Sequence, residues 1–304
     1  AGIARDGTIA FTGTEAARPE ELYLLPPHAT APIRLTGVND VIAALRLGAV
    51  RRFAWDGPIG RLYGVLTFPP GYDSHRAYPL AMRIHGGPAE TSLAAFEPFY
   101  QYAAARGYVV FAPNYRGSSD LGSAFERAIF DDASVGPGDD IISGVRALVA
   151  AGIVDKNRLG VSGWSYGGQM TSWMIAHYPD FTAAVTGAGV HDLVVDYAIA
   201  DDIDADAAAF DGPPFAGSGL ENWRAQSPIT FVKSIRTPTL ILGNVYDVRV
   251  PIVESYELFH ALRDNGVPVR FVAYPSTGHL PQGPVRTADV YRRWLDWFDR
   301  YLKP

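Results

Sequence analysis

A single serine, Ser165, stands among glycines in GWSYGG, residues 163–168. A serine hydroxyl becomes an effective nucleophile only when a base takes its proton. The G-x-S-x-G spacing suits a serine placed on a sharp, strained turn between a strand and a helix, where only small neighbours fit. The flanks agree, since RLGVSG reads as a strand and QMTSWMIAHYP as a helix. Such a turn lifts the hydroxyl clear of the sheet. It also aims the N–H of Tyr166 and the positive end of the helix at the place where an oxyanion would form. A chance G-x-S-x-G at a tight turn is the competing reading, and the strand and helix on its two sides weigh against it.

In this arrangement the acid and the histidine follow the serine in chain order, each on a loop past a later strand. TPTLILG followed by NVYDVRVP places Asp247 past one strand, and VRFVAYP followed by STGHLPQGP places His279 past the next. Alone, Asp247 reads equally well as a helix cap or turn residue, and His279 as a surface-loop histidine. Their order and strand-end placement favour an orienting acid and a base. Of the other histidines, His177 ends a helix, His260 lies inside one, and His28 and His75 sit in polar loops. His191 follows TAAVTGAGV and is the serious competitor, but no acid-bearing strand loop separates it from Ser165. A second oxyanion donor belongs on the loop after an early strand. MRIHGGP offers bare backbone amides there, at His85-Gly86-Gly87-Pro88.

Holding these groups together requires a sheet whose strands end at one edge. From Arg51 onward strand patterns alternate with helical ones: LYGVLTF, PLAMRIH, the helical AAFEPFYQYAAARG, YVVFAPN, the helical DDIISGVRALVAAG, and so on through VRFVAYP. This predicts an α/β fold, a mostly parallel sheet with helices on both faces. The terminal YRRWLDWFDRYL sets Tyr291, Trp294, Leu295, Phe298 and Leu302 on one helical stripe, the mark of a core helix. Residues 1–50 read differently. GTIAFTGT and ELYLLP are two short strands around a turn at Arg18-Pro19, followed by a short helix or loop in VNDVIAALRLGAV, and two strands alone bury too little to be a domain.

Composition bounds the function. At 304 residues and 48% hydrophobic content the chain has ample core, and a net charge of −6 with mixed signs leaves no basic stripe for nucleic acid. There is no cysteine, hence no disulfide, thiolate zinc site or cysteine nucleophile, and the cellular location stays open. No apolar run approaches a membrane span, and no His cluster suggests a metal, so the expected reaction uses no cofactor. The acidic run at 201–211 lacks the glycine and terminal glutamate of a calcium loop and reads as solvated.

HGGP, NYRGS, GWSYGG, TPTLILG with DVRVP, and YPSTGH, in this order, resemble the catalytic domain of the prolyl oligopeptidase family of serine peptidases. The HGGP form is similar to the branch of acylaminoacyl and related dipeptidyl peptidases. The resemblance covers about residues 50–304 and implies an α/β-hydrolase fold. It implies Ser165 as nucleophile, His279 as base, Asp247 as orienter, and the amides of Tyr166 and Gly87 as oxyanion hole. It also implies Arg249 as a ligand for a substrate carbonyl, and Val190 and Leu193 as lining of the pocket for the residue before the scissile bond. Arg249 reads equally as a surface ion-pair partner, Val190 and Leu193 as plain core, and Arg116 of NYRGS as a structural ion pair. Where the family commonly has His-Gly after the TPTLI strand, this chain has Gly243-Asn244. The family's propeller is nearly absent, residues 1–50 resembling only the end of its last blade, with residues 51–304 as the hydrolase domain. The expected substrate is a peptide or a small acylated compound. A carboxylesterase on small esters and a catalytically silent binding module are the alternatives. The expected partner of residues 1–50 is a propeller fragment or a second copy of the chain.

Overall fold

Apolar residues of PLAMRI point alternately to two buried faces: Leu80, Met82 and Ile84 to one cluster, Ala81 to the other. A strand covered by helices on both sides has this pattern, and it recurs through the sheet. The structure, a computed structural model, describes all residues except 120, 204–208, 211, 217, 218 and 304. Its strands are β1 (Gly2–Ile3), β2 (Ile9–Glu15), β3 (Arg18–Leu25), β4 (Ile33–Arg34), β5 (Val50–Gly57), β6 (Gly60–Thr67), β7 (Tyr78–Ile84), β8 (Val109–Pro113), β9 (Val154–Trp164), β10 (Ala183–Gly187), β11 (Thr239–Tyr246) and β12 (Val269–Thr277). Its helices are α1 (Asp40–Ala43), α2 (Pro98–Ala105), α3 (Ser123–Arg127), α4 (Val135–Ala150), α5 (Tyr166–His177), α6 (Leu193–Ile199), α7 (Gly219–Gln226), α8 (Ile252–Asp264) and α9 (Pro284–Leu302), with a 3-10 turn at Pro228–Ser234.

The main sheet has eight strands in the order β12-β11-β10-β9-β7-β8-β6-β5. Pairing is parallel from β8 through β7, β9, β10 and β11 to β12, and antiparallel at β8–β6 and β6–β5. This is the α/β-hydrolase fold. Helices α4, α5 and α8 pack on one face through Ile141, Leu148, Met170, Trp173 and Leu258. Helices α2 and α9 cover the other through Phe99, Ala103, Trp294, Leu295, Phe298 and Leu302, as the terminal stripe predicts. Helix α2 starts later than its apolar pattern suggests, because Pro98 occupies its first turn and the Glu97 side chain caps it.

Residues 2–34 form a separate four-stranded antiparallel sheet, β1-β2-β3-β4. Its hairpin turns at Ala16-Ala17 between the paired Glu15 and Arg18, so Arg18 and Pro19 belong to β3 and not to the turn the sequence suggests. The carboxylate of Glu21 on β3 accepts the backbone N–H groups of Asn39 at 2.8 Å and Val38 at 3.3 Å, anchoring the segment that leads to α1.

Arg116 makes the structural pair its motif suggested. Its backbone N, Nε and Nη2 donate to the fully buried Asp140 at 3.0, 2.9 and 2.8 Å. A buried pair broken on one side leaves a charge without compensation. Asp140→Ala should therefore lower stability by about 3–5 kcal/mol, read as the shift of the urea midpoint at unchanged m-value. A loss below about 0.5 kcal/mol, the size of an ordinary surface substitution, would show that the pair is dispensable.

Candidate active site

Strand β9 runs straight into the turn that carries Ser165, whose φ of 62° and ψ of −130° lie outside the regions an L-residue prefers. The turn is held by hydrogen bonds on both sides: Ser165 N donates to Gly187 O at 2.9 Å, and Ser165 O accepts from Gly168 N at 2.7 Å and Gln169 N at 3.1 Å. A Cβ on Gly163 would overlap the Gly167 carbonyl, and one on Gly167 the Ile84 carbonyl. The glycines are therefore set by the close approach of α5 to β7 and β9. Tyr166 opens α5, so its N–H is among those without an intrahelical acceptor.

Asp247 and His279 come together from the ends of β11 and β12. His279 Nδ1 donates to Asp247 Oδ2 at 2.8 Å. Asp247 Oδ1 accepts from Arg249 N at 2.9 Å and Val250 N at 3.2 Å, so both carboxylate oxygens are fixed. Asp247 is buried, and His279 Nε2 is buried with no hydrogen-bond partner. His279 and Ser165 line one cavity of about 440 Å3, together with Gly86, Trp164 and Leu280.

The backbone of His279 is tied down as well. Trp164 Nε1 donates to His279 O at 3.0 Å, and Asn244 Nδ2 donates to Gly278 O at 2.8 Å. Asn244, which sequence comparison marks only as a departure from the family pattern, thus holds the histidine loop from beneath, almost fully buried. The HGGP turn is braced by NYRGS. Tyr115 OH donates to His85 O at 2.8 Å, the two rings stack at 4.3 Å, and His85 Nε2 lies 2.8 Å from Ser118 Oγ. Burial lowers the His85 pKa to about 4, so the ring is a neutral brace. Tyr115 and Ser118 went unassigned in the sequence because their partner is distant in the chain. Gly87 has φ +105°, a backbone that favours glycine.

None of the residues suggested for substrate binding lines the cavity of Ser165 and His279. Val190 and Leu193 are buried in a cluster with Phe210, Trp223 and Val250, and neither lines the cavity of Ser165. Arg249 Nε pairs with Asp201 at 2.9 Å and Nη1 pairs with Asp202, the ion-pair reading of that residue. Those two aspartates begin the acidic run; its residues 204–208 and 211 lie outside the described residues. Among the described residues no cluster of three or more His, Asp or Glu side chains could hold a metal ion, and no helix is long and apolar enough to cross a membrane.

His191 is fully buried and both its ring nitrogens lack partners. Burial lowers its pKa from 6.5 to about 3. A depressed value means that the neutral ring stabilises the fold fully above pH 6.5, and that this contribution is lost as pH falls toward about 3. His191→Leu should flatten the decline of unfolding free energy between pH 6.5 and 5 by up to about 1.4 kcal/mol per pH unit, measured by urea titration. An unchanged slope would mean that the imidazole is solvated.

The chain matches the prolyl oligopeptidase family over residues 95–304. It is 27% identical over 292 residues to dipeptidyl-peptidase 5 of Porphyromonas gingivalis, covering 94% of this chain and 43% of that protein. It is 29% identical over 276 residues to the acylamino-acid-releasing enzyme of Arabidopsis thaliana, covering 88% of this chain and 35% of that one. Among solved structures, an acylaminoacyl peptidase of Pyrococcus horikoshii superimposes with a TM-score of 0.90 at 26% identity, over 99% of this chain and 49% of that one. The chain thus spans about half the length, or less, of these relatives. With a family match over more than half its residues, this chain belongs to the prolyl oligopeptidase family.

Proposed function

We propose that this chain is the hydrolase domain of a serine peptidase that cleaves peptide or acyl-amino-acid bonds through an acyl-enzyme on Ser165. His279 is the base, Asp247 its orienter, and the amides of Tyr166 and Gly87 the oxyanion hole. The observation that carries this reading is the His279 Nδ1 to Asp247 Oδ2 bond of 2.8 Å beside a cavity that His279 shares with Ser165. With Nδ1–H given to Asp247, the lone pair is on Nε2, the nitrogen left without a partner. On substrate binding Nε2 takes the Ser165 proton as Oγ adds to the scissile carbonyl carbon. The resulting oxyanion receives the two amides, and the imidazolium is stabilised by Asp247. The imidazolium then gives its proton to the leaving amine as the C–N bond breaks. Water, deprotonated by His279, cleaves the ester, releasing the acid and restoring the serine. Hydrogen bonds of this kind tighten only in the substrate complex, which accounts for the unpartnered Nε2.

A fluorophosphonate should add covalently to Ser165. Ser165→Ala should abolish labelling and lower kcat by about 10^4-fold or more, with circular dichroism unchanged, and His279→Ala should do likewise while His191→Leu stays active. Labelling that persists in Ser165→Ala would remove Ser165 from the mechanism. Turnover of a short-chain ester with none of an acyl-amino-acid anilide would favour the esterase reading.

Residues 1–50 are, we propose, the end of a propeller blade that pairs with other β structure, from the same protein or from a second copy. This is supported by a sheet that shares no strand with the main one and exposes Ile3 and Ile33. In the isolated chain, limited proteolysis should cut between residues 8 and 25 before it cuts the hydrolase domain. Resistance there in a monomer would show that the segment is stabilised by the hydrolase itself.

A further inference from the structure

The cavity of Ser165 and His279 is also lined by Arg83, Glu97, Tyr100 and Tyr291, none of which the hydrolytic steps use. Arg83 lies near the end of β7, two residues before His85. Strand alternation turns it to the same face as Ala81, where α2 and α9 pack. There its guanidinium carbon lies 4.7 Å from the ring centre of Trp294 and 5.9 Å from that of Phe99. Among the described residues it forms no ion pair and no hydrogen bond, and its Nη1 is buried without a partner. Stacking on an indole offsets part of the cost of enclosing a cation but leaves the in-plane N–H donors unused. That planar fork matches a carboxylate.

Two carboxyl groups share the cavity, and neither lies within ion-pair distance of Arg83. Glu90 is exposed, while Glu97 accepts the N–H of Phe99 at 3.4 Å and is pushed toward its neutral form by burial, against the opposing pull of that hydrogen bond and of the Arg83 charge. The position of the cavity assigns its side of the scissile bond. It includes His279 and Leu280 but not Tyr166 or Gly87, whose amides are proposed to receive the oxyanion. The histidine that takes the serine proton delivers it to the leaving group, so the space beside that histidine belongs to the leaving group.

Resting on the reading of Ser165 and His279 above, we propose that Arg83 is the specificity-determining residue of a leaving-group subsite, where its guanidinium receives a carboxylate carried by the departing amine. Two sources have this chemistry: the free α-carboxylate of a C-terminal residue, and an acidic side chain directly after the scissile bond. The subsite favours peptides that end one residue past the cut, or that carry an acid there, over amides and esters with neutral leaving groups.

The test uses one acyl part, N-acetylphenylalanine, joined to alanine, to alanine amide, to aspartic acid α-amide, or to p-nitroaniline. For the chain as it stands, kcat/KM for the alanine or the aspartyl amide compound, or both, should exceed that for alanine amide by about 10-fold or more. Which of the two is favoured identifies the source of the carboxylate. Arg83→Met, which keeps an apolar stem against Trp294, should bring the ratio to about one, and Arg83→Lys should leave it intermediate, because a point charge lacks the fork. The ratio is internal to each variant, so partial loss of folded protein does not affect it. Turnover of all four compounds without preference, or a preference retained in Arg83→Met, overturns this inference alone. Failure to turn over any of the four, the anilide included, overturns the nucleophile reading and this inference with it.

Discussion

The site depends on holding one L-residue, Ser165, at a positive φ of 62°. Such a backbone costs on the order of 1–3 kcal/mol and persists only where its surroundings over-determine it. Here β10 accepts the Ser165 N–H through Gly187 O, the first turn of α5 takes the Ser165 carbonyl, and glycines at 163 and 167 admit the closeness of helix to strand. Ser165 is therefore fixed by the most buried part of the molecule, the centre of the parallel sheet, and not by the loops around it. The first-turn amides of α5 are aimed by the same constraint.

The histidine is positioned differently, since its loop lies at the edge strand β12. Three groups compensate: Asp247 on the ring, Trp164 on the carbonyl of His279 and Asn244 on the carbonyl of Gly278. Trp164 is adjacent to Ser165 in the chain, so Ser165 and His279 are referenced to the same backbone. Asn244 stands where the β11–β12 register shifts, between Asn244 and Tyr246. An irregular strand end there needs a side chain to satisfy the carbonyls that the ladder no longer pairs.

On the other side of the sheet, the packing of α2 and α9 encloses a cation that β7 brings to the cavity wall. Trp294 and Phe99 are core aromatics by their burial, yet they also form the surface against which Arg83 lies. A single layer of side chains thus serves both the stability of the fold and the chemistry of the cavity.

The sequence by itself determined the strand and helix alternation, the Ser165 turn and the order of Asp247 and His279. Each rests on local spacing: period-two apolar runs, glycines within a few residues of the serine, polar loops after strands. Strand β5 was not legible, because VRRFAWDG breaks the apolar pattern with Arg51, Arg52 and Asp56, as an outermost strand can when half of it faces water. Helices α6 and α7 were hidden in an acidic, irregular stretch in which, among the described residues, apolar burial is confined to the small cluster around Trp223. Only the tertiary structure decided that Val190 and Leu193 do not line the Ser165 cavity, that Arg249 turns to Asp201, and that Asn244, Tyr115 and Ser118 brace the loops of His279 and His85. It alone joined Arg83 to Ser165 and His279. Such groupings depend on which strand ends lie side by side and on which face of the sheet a side chain leaves, and contacts between residues far apart in the chain carry no local signature.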